Sequence, residues 1–351
     1  MTWEKPAFSA AQVDEAGRAF VQPNADPDSR NAALATINNW RSSHSFPLDA
    51  IATSLKEQAT QVDATAIVAQ RIKRLPSIED KLRRLKRLTL SEIQDIGGCR
   101  AILPSTKKAL EVRERFRSCA HAHGLDDEKD YVENPKASGY RGIHMIYRYA
   151  GEQEPAYDGL KIEIQIRSST QHAWANAVET VGTFTGQDLK SGKGSRHWRR
   201  FFALMGTLFA IREGTPLVPE TPASSTELMQ ELRELGRELA IRKTLYALHK
   251  AMRSVGREEG RYYVVTLDPE SNITTVQAFA DSALEEATNR YISIERRIAG
   301  TRADAVLVSV DSLQELKDAY PNYFQDATRF LILAEQATGS IPLAPTSRNL
   351  F

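Results

Sequence analysis

The sequence has few cysteines and no long apolar run. Among its 351 residues there are two cysteines, Cys99 and Cys119, which lie too far apart to form a C-x-x-C pair. This usage argues against a disulfide framework or a structural zinc site and suits a reducing compartment. The N-terminal segment lacks the apolar stretch of a signal peptide, and no run is long enough to span a membrane. We therefore expect a cytoplasmic protein with no membrane segment.

An excess of one charge is also absent. The chain carries 46 Lys and Arg against 45 Asp and Glu, so its formal net charge is +1. Attraction for nucleic acid would therefore have to come from a local basic patch rather than from the whole molecule. A hydrophobic content of 41% and a charged content of 26% are ordinary for a globular protein, and the length fits two domains.

The pattern of apolar residues indicates two domains joined by a helix. Residues 1–213 form the larger predicted domain, and residues 214–226, which contain three prolines, predict a linker. Leucines at a 4-3-4 spacing then predict a long connecting helix over 227–256. Residues 257–351 begin with a predicted hairpin and continue with a helix and a strand, so they predict a small C-terminal α/β domain.

The larger domain is predicted to be an α+β (α/β) fold, in which helices flank a mixed β-sheet. The apolar spacing over residues 46–73 favours a helix, and residues 124–138 a polar loop. The strands at 140–149 and 160–167 are expected to pair as a hairpin.

The strand at 160–167 alternates between apolar and polar side chains without exception. Its polar face carries Lys161, Glu163, Gln165 and Arg167. Such alternation indicates a strand with one buried face. A polar face of this kind is either a solvated surface or the wall of a site, and the strand by itself does not decide between them.

Two acidic residues are candidates for holding a metal ion. Asp95 precedes the paired glycines Gly97 and Gly98 at the start of a predicted strand, where a backbone or a ligand can approach closely. Glu163 projects from a strand that can lie next to it. Two carboxylates beside basic residues suit Mg²⁺-assisted phosphoryl transfer, although Asp95 is also explained as a turn or cap residue.

Basic and turn-forming segments surround these carboxylates in the sequence. Residues 71–88 hold eight Lys and Arg against two acids, as a triphosphate site or a solvated helix face would. The loop at 131–144 presents four candidates for contacts with a ligand, which are Lys136, Tyr140, Arg141 and His144. Tyr140 follows a glycine, so its ring can be exposed for stacking or can pack on the sheet edge.

Four motifs in order resemble the RelA/SpoT synthetase domain. They are R-x-K with S-x-x-x-K (71–81), D-I-G-G-x-R (95–100), N-P-K-x-x-G-Y-R-x-x-H (134–144) and E-x-Q-I-R (163–167). The resemblance covers about residues 40–210. It implies a nucleotidyltransferase-like fold and a pyrophosphokinase, which moves the β,γ-diphosphate of ATP onto a ribose 3′-hydroxyl.

The same resemblance implies a role for each matching residue. On the ATP side, two arginines would flank the adenine and three residues would bind the phosphates: Arg71 and Arg100, and then Lys73, Ser77 and Lys81. Asp95 and Glu163 would hold Mg²⁺, and Glu163 would also help to deprotonate the attacking hydroxyl. Tyr140 would stack on the acceptor base. The acceptor pocket would be completed by Lys136, Arg141, His144, Gln165 and Arg167.

The C-terminal part resembles the CapRel-like fused toxin–antitoxin members of that family. It contains Tyr320 and Tyr323 in a Y-x-x-Y spacing, for which two packed turn aromatics are the plainer explanation. The resemblance implies that this part blocks the ATP site until a phage protein releases it. The acceptor would then be the tRNA 3′-CCA end, and the mobile basic segment 190–200 suits a phosphate backbone. No histidine is followed by Asp, so hydrolase activity is not expected.

Two alternatives stay open on the sequence. One is a small alarmone synthetase that uses GDP or GTP, since Tyr140 can stack on either kind of purine acceptor. The other is a non-catalytic RNA- or partner-binding module that has kept the fold. The oligomeric state is not predicted.

Overall fold

A mixed β-sheet runs through the centre of the protein, which is known from a computed structural model. The structure describes residues 3–22, 26–119, 123–152, 154–190, 192–241, 253–255, 259–324 and 327–338. Five strands come from the first part of the chain: β1 Ile67–Ile72, β2 Gly97–Leu103, β3 Gly124–Asp130, β4 Ile143–Arg148 and β5 Lys161–Ser168. Four come from the C-terminal part: β6 Arg253–Val255, β7 Tyr262–Asp268, β8 Ile273–Phe279 and β9 Asp304–Ser309.

Helices cover both faces of this sheet. In the first part they are α1 Ala10–Val21, α2 Pro27–Ser43, α3 Ser45–Val62, α4 Leu75–Arg84, α5 Thr106–Ser118, α6 Ser169–Thr185 and α7 Arg196–Glu213. They are followed by α8 Ser225–Glu238, α9 Leu284–Ile298, α10 Leu313–Ala319 and α11 Thr328–Thr338. The predicted class, a mixed sheet flanked by helices, is confirmed. No helix in the described ranges is long and apolar enough to cross a membrane.

The strand order joins the two parts of the chain in one sheet. Among the described residues the order is β3-β4-β5-β2-β1-β9-β7-β8-β6. Strands β2 and β5 are parallel, whereas β4 and β5 are antiparallel, as are β7 and β8. Both predicted hairpins are therefore confirmed. The junction between β1 and β9 is short, because it aligns only Gln70 with Ser309 and Arg71 with Val308.

Apolar packing also crosses that junction. One core cluster brings Ala69 and Ile102 of the first part together with Val306, Val308 and Tyr320 of the C-terminal part. A second cluster packs α3 and α5 against the buried face of β2, β4 and β5. The sheet therefore holds its polar face toward α6 and the C-terminal segment. The division into domains at 214–226 stays a prediction.

Three predicted elements need correction. Residues 67–72 were expected to be helical, but they form β1. The β-branched Ile67, Val68 and Ile72 pair with β2, and the strand also contacts β9 through Gln70 and Arg71. Residues 124–130 form strand β3 instead of a polar loop; its charged side chains suit an edge strand. The connecting helix predicted for 227–256 ends at Glu238, and residues 253–255 are a strand. Residues 242–252 and 256 lie outside the described ranges.

Candidate active site

Polar side chains from neighbouring strands meet on one face of the sheet. Arg71 of β1 lies opposite Gly98 of β2, which lies opposite Glu163 of β5. Arg100 is aligned with Gln165 in the same way. Since side chains alternate between the two faces of a sheet, these groups project to one side. They line a cleft, whose walls include Arg71, Lys73, Asp95, Arg100, Glu163 and Gln165.

Asp95 is held between two lysines. Lys73 Nζ lies 2.6 Å from Asp95 Oδ2, and Lys81 Nζ lies 2.8 Å from Asp95 Oδ1. Burial alone would raise the pKa of Asp95, but the two lysine charges outweigh it and hold that pKa well below its ordinary value. Asp95 is therefore an ionised carboxylate at neutral pH, and the structure brings together three residues that the motif predicted.

Ser77 lies on helix α4, which also carries Lys81. It lies in the first turn of that helix, four residues before Lys81, so both side chains occupy one helix face. The helix therefore offers a hydroxyl and an ammonium group toward the side on which Lys81 meets Asp95. This is the arrangement expected of residues that bind successive phosphates of one ligand.

Glu163 lies at the centre of a hydrogen-bonded network. Its Oε1 lies 2.8 Å from His144 Nδ1, and its Oε2 accepts a hydrogen bond of 2.7 Å from Gln165 Nε2. Burial would raise the pKa of Glu163, but the bond and charge of His144 together with the bond from Gln165 lower it to about 2. Arg167 donates a 2.8 Å bond to Gln165 Oε1, which fixes the orientation of that amide.

Tyr140 continues this network on the acceptor side. Its hydroxyl is hydrogen-bonded to His144 Nε2 and accepts a 2.9 Å bond from Arg167 Nη2. Lys136 Nζ lies 5.3 Å from the centre of the Tyr140 ring, close enough for a cation–π contact. The position of the ring depends on a glycine at 139, where φ is +96°. A Cβ at this position would lie 2.5 Å from the carbonyl oxygen of Phe202, so a larger residue would not fit.

Arg141 does not belong to this group, which corrects its assignment as an acceptor-binding residue. Its side chain is 3% exposed and forms an ion pair with Glu213 at the end of α7. It also donates a 2.9 Å bond to Thr215 Oγ1. Its place after a turn suggested exposure, but the partly buried carboxylate of Glu213 draws the guanidinium into the contact between the 131–144 loop and α7.

Arg71 and Arg100, which were predicted to flank adenine, lie close to Tyr320 and Tyr323 of the C-terminal part and do not face open space. Arg100 Cζ lies 4.6 Å from the centre of the Tyr320 ring, and Arg100 Nη1 donates a 3.1 Å bond to the carbonyl of Ala319. Burial alone would lower the pKa of Arg71, but the nearby phenol groups of Tyr320 and Tyr323 help to raise it above its ordinary value. Both tyrosines are 2% exposed. The free volume left in the cleft is about 20 Å³, which is room for about one water molecule.

Three further residues take part that sequence reasoning missed, namely Arg74, Asp304 and His172. Arg74 Nη1 donates a 3.2 Å bond to the Tyr323 hydroxyl and forms an ion pair with Asp304. His172 Nε2 lies 2.9 Å from the carbonyl oxygen of Asp318. Burial and the charges of Arg100 and Arg167 lower the pKa of His172 well below its ordinary value. Arg74 stood within the basic run 71–88, which was the one available signal.

The basic segment 190–200 carries fewer unpaired charges than its sequence suggested. Lys190 forms an ion pair with Glu179. Lys193 Nζ lies 3.9 Å from Asp188 Oδ2, and Arg200 Nε lies 2.6 Å from Glu231 Oε1. Trp198, Phe201 and Phe202 are buried in a core cluster. These three aromatics are therefore core residues.

The carboxylates fit a hard cation that is shared with a phosphorylated substrate. The described residues contain no cluster of three or more His, Cys, Asp or Glu that could hold a metal by itself. Asp95 and Glu163 are close enough for the charge of Asp95 to act on the pKa of Glu163. Two ionised carboxylates on the walls of one cleft suit Mg²⁺, which takes few protein oxygens and completes its shell with phosphates and water.

Comparison with known proteins gives a partial match over this region. The family described as "Region found in RelA / SpoT proteins" matches residues 70–182. GTP pyrophosphokinase YjbM of Bacillus subtilis is 32% identical over 123 residues, which are 32% of this chain and 54% of YjbM. Probable GTP diphosphokinase RSH3 of Arabidopsis thaliana is 31% identical over 126 residues, which are 34% of this chain and 16% of RSH3. The match thus spans about half of YjbM and a smaller share of RSH3.

A solved structure matches half of the chain. Small alarmone synthetase 2 of Bacillus subtilis has a TM-score of 0.43 at 22% sequence identity. The comparison covers 50% of this chain and 93% of that protein.

Proposed function

We propose that this chain, which carries a RelA/SpoT region at residues 70–182, is an ATP- and Mg²⁺-dependent pyrophosphokinase. It transfers the β,γ-diphosphate of ATP to a ribose 3′-hydroxyl. The observation that carries the proposal is the pair of ionised carboxylates, Asp95 and Glu163, in one cleft with Lys73, Lys81 and Arg100. A module that only bound RNA would have no need of this arrangement.

Some residues of the cleft bind the ATP donor, and others act on the acceptor hydroxyl. Lys73 and Lys81 neutralise the triphosphate, and they leave Asp95 for the phosphate oxygens when ATP enters. Asp95 and Glu163 would hold Mg²⁺, which would supply charge neutralisation at the attacked phosphorus. Glu163 is ionised at neutral pH and would also help to deprotonate the attacking hydroxyl. His144 orients Glu163 through its Nδ1.

The acceptor is a nucleotide whose base stacks on Tyr140. The Tyr140 ring is fixed by its bonds to His144 and Arg167, and Lys136 lies over the ring, where it can meet a phosphate. We favour the 3′-terminal adenosine of tRNA, on the resemblance of the C-terminal part to fused toxin–antitoxin proteins. A second candidate is GDP or GTP, which the names of the two relatives favour.

The closed cleft supports autoinhibition by the C-terminal part. Tyr320 covers Arg100, and Tyr323 is bonded to Arg74, so an adenine ring cannot enter between Arg71 and Arg100 in this state. A partner that pulls this segment away would activate the enzyme. In a phage-defence system that partner is a phage protein, which binds the C-terminal part.

The proposal is tested by following AMP release from ATP with tRNA, GDP or GTP in separate reactions. Glu163→Gln is expected to lower turnover at least a thousandfold while the protein stays folded, because the proton acceptor is lost. Glu154→Gln, at an exposed ion pair with Lys5, is the matched control and should act like wild type. Turnover above a few percent of wild type in Glu163→Gln would overturn the assigned role.

A further inference from the structure

A buried ion pair joins the two parts of the chain at a distance from Tyr320 and Tyr323. Arg41 of α2 and Glu295 of α9 are 3% and 5% exposed in their side chains. Arg41 Nη1 lies 2.9 Å from Glu295 Oε2, and Arg41 Nη2 lies 3.2 Å from Glu295 Oε1. This is the two-point geometry in which a guanidinium binds a carboxylate most specifically.

The pair is completely satisfied by hydrogen bonds. Arg41 also donates to Asn38 Oδ1 at 3.0 Å, to the Tyr291 hydroxyl at 3.0 Å and to the carbonyl of Lys73 at 3.0 Å. All five guanidinium N–H groups are then used. Glu295 Oε1 accepts a further 2.6 Å bond from the Tyr291 hydroxyl.

Glu295 also reaches the helix that carries the phosphate-binding candidates. The backbone N–H of Leu75, the first residue of α4, donates a 2.9 Å bond to Glu295 Oε1. Arg74, at the N-cap of α4, makes no side-chain capping bond of its own. Glu295 therefore supplies, from another part of the chain, the acceptor and the negative charge that the start of a helix favours.

We infer that Glu295 is a second inhibitory latch, which holds the segment 73–75 and the start of α4 in their closed-state position. The inference rests on the proposed function and deepens its regulation. Tyr320 and Tyr323 fill the adenine end of the site, whereas Glu295, with Arg41, fixes the backbone between Lys73 and α4, which carries Lys81. A partner that lifts the C-terminal part must break both contacts.

The chemistry of the latch suits reversible opening. A buried ion pair gains little net stability, because both charges give up their hydration on closing. When α9 moves away, Arg41 and Glu295 recover that hydration. The pair therefore fixes the docked geometry while it costs less to separate than an apolar contact of the same area. This is a property expected of a contact that must be released by a partner.

The test uses the full chain with Glu295→Gln, which sets an amide N–H against the N–H groups of Arg41. Glu286→Gln is the matched control, because Glu286 is exposed on the same helix. Backbone hydrogen exchange over residues 75–84 is measured without ligand, and affinity for a non-hydrolysable Mg-ATP analogue by calorimetry. We expect at least tenfold faster exchange and at least tenfold tighter binding for Glu295→Gln, and wild-type values for Glu286→Gln.

Equal exchange and equal affinity in the two variants would overturn the inference. If Glu295→Gln fails to fold, Tyr291→Phe is used instead, because it removes one hydroxyl and keeps the ion pair. We then expect hydrogen exchange about threefold faster and ATP-analogue binding about threefold tighter, and wild-type values would overturn the inference. Failure of the proposed function has a separate signature. In that case no variant transfers diphosphate to any acceptor, while the exchange of residues 75–84 still reports whether Glu295 restrains α4.

Discussion

Replacement of Tyr320 should open the ATP site, and the structure sets the size of the effect. The Tyr320 ring is 2% exposed and lies 4.6 Å from Arg100 Cζ. Burial of an aromatic side chain contributes about 2 kcal/mol, and a largely desolvated cation–π contact about 1 kcal/mol. Tyr320→Ala should therefore cost the closed state about 3 kcal/mol, which raises the open fraction roughly a hundredfold.

The hydroxyl of Tyr320 provides a sharp control. Its oxygen is buried and has no hydrogen-bond partner among the described residues. Because an unpaired buried hydroxyl is unfavourable, Tyr320→Phe should keep the closed state or stabilise it. Tyr323→Phe behaves differently, since its hydroxyl bonds to Arg74 and to Asp304 Oδ2 at 3.2 and 3.1 Å. It should raise the open fraction about tenfold.

The assay is calorimetric titration of each full-length variant with a non-hydrolysable ATP analogue and Mg²⁺. Apparent affinity scales with the open fraction, so the order of binding should be Tyr320→Ala, then Tyr323→Phe, then wild type, with Tyr320→Phe equal to wild type or weaker. Thermal unfolding of each variant shows whether it is folded. Equal affinity in Tyr320→Ala and Tyr320→Phe, or no change in Tyr320→Ala, would show that the Tyr320 ring does not close the ATP site.

Three further results are expected. Tyr140→Ala should lower the use of every acceptor at least a hundredfold while ATP-analogue affinity in the Tyr320→Ala background stays unchanged; a loss of ATP binding would place the ring on the donor side. Lys81→Met should weaken ATP-analogue binding about tenfold or more by calorimetry, because the triphosphate loses one lysine and Asp95 keeps only Lys73 as a lysine partner. Unchanged binding would show that Lys81 is not part of the phosphate site. The pKa of Glu163 falls from 4.5 to about 2 on folding, so its ionised form stabilises the protein above pH 4.5. That stability is lost as the pH falls toward about 2, and urea unfolding across this window should show a smaller decline in Glu163→Gln; equal declines would contradict the assignment.

The sequence predicts those parts of the fold that depend on local patterns. Strand β5 was predicted because its apolar and polar residues alternate, and its pairing with β4 followed from the short connection between them. Strand β1 was not predicted, because Ala66 and Ala69 also fit helical spacing. Its strand conformation depends on pairing with β2 and β9, which are distant in the sequence. Strand β3 was missed because charged residues are rare in strands except at an edge.

In the candidate site, too, residues within local motifs were predicted, whereas contacts between residues distant in the sequence were not. Motif spacing identified Lys73, Lys81 and Asp95, and the structure places each lysine within hydrogen-bond distance of Asp95. No local signal could have identified the pair of Arg41 and Glu295, whose positions are 254 residues apart. Arg141 was assigned wrongly for a related reason, since its partner Glu213 lies 72 residues further along the chain.

The central claim is that a diphosphate is transferred as one unit from a site that the C-terminal part covers. It is tested most directly with full-length Tyr320→Ala protein and ATP radiolabelled at either the β- or the γ-phosphate, in separate reactions with tRNA, GDP or GTP. We expect that both labels reach the same acceptor in equal amounts, that AMP is the co-product and that wild type transfers much less. Transfer of the γ label alone with ADP as co-product, or no label on any acceptor, would contradict the claim.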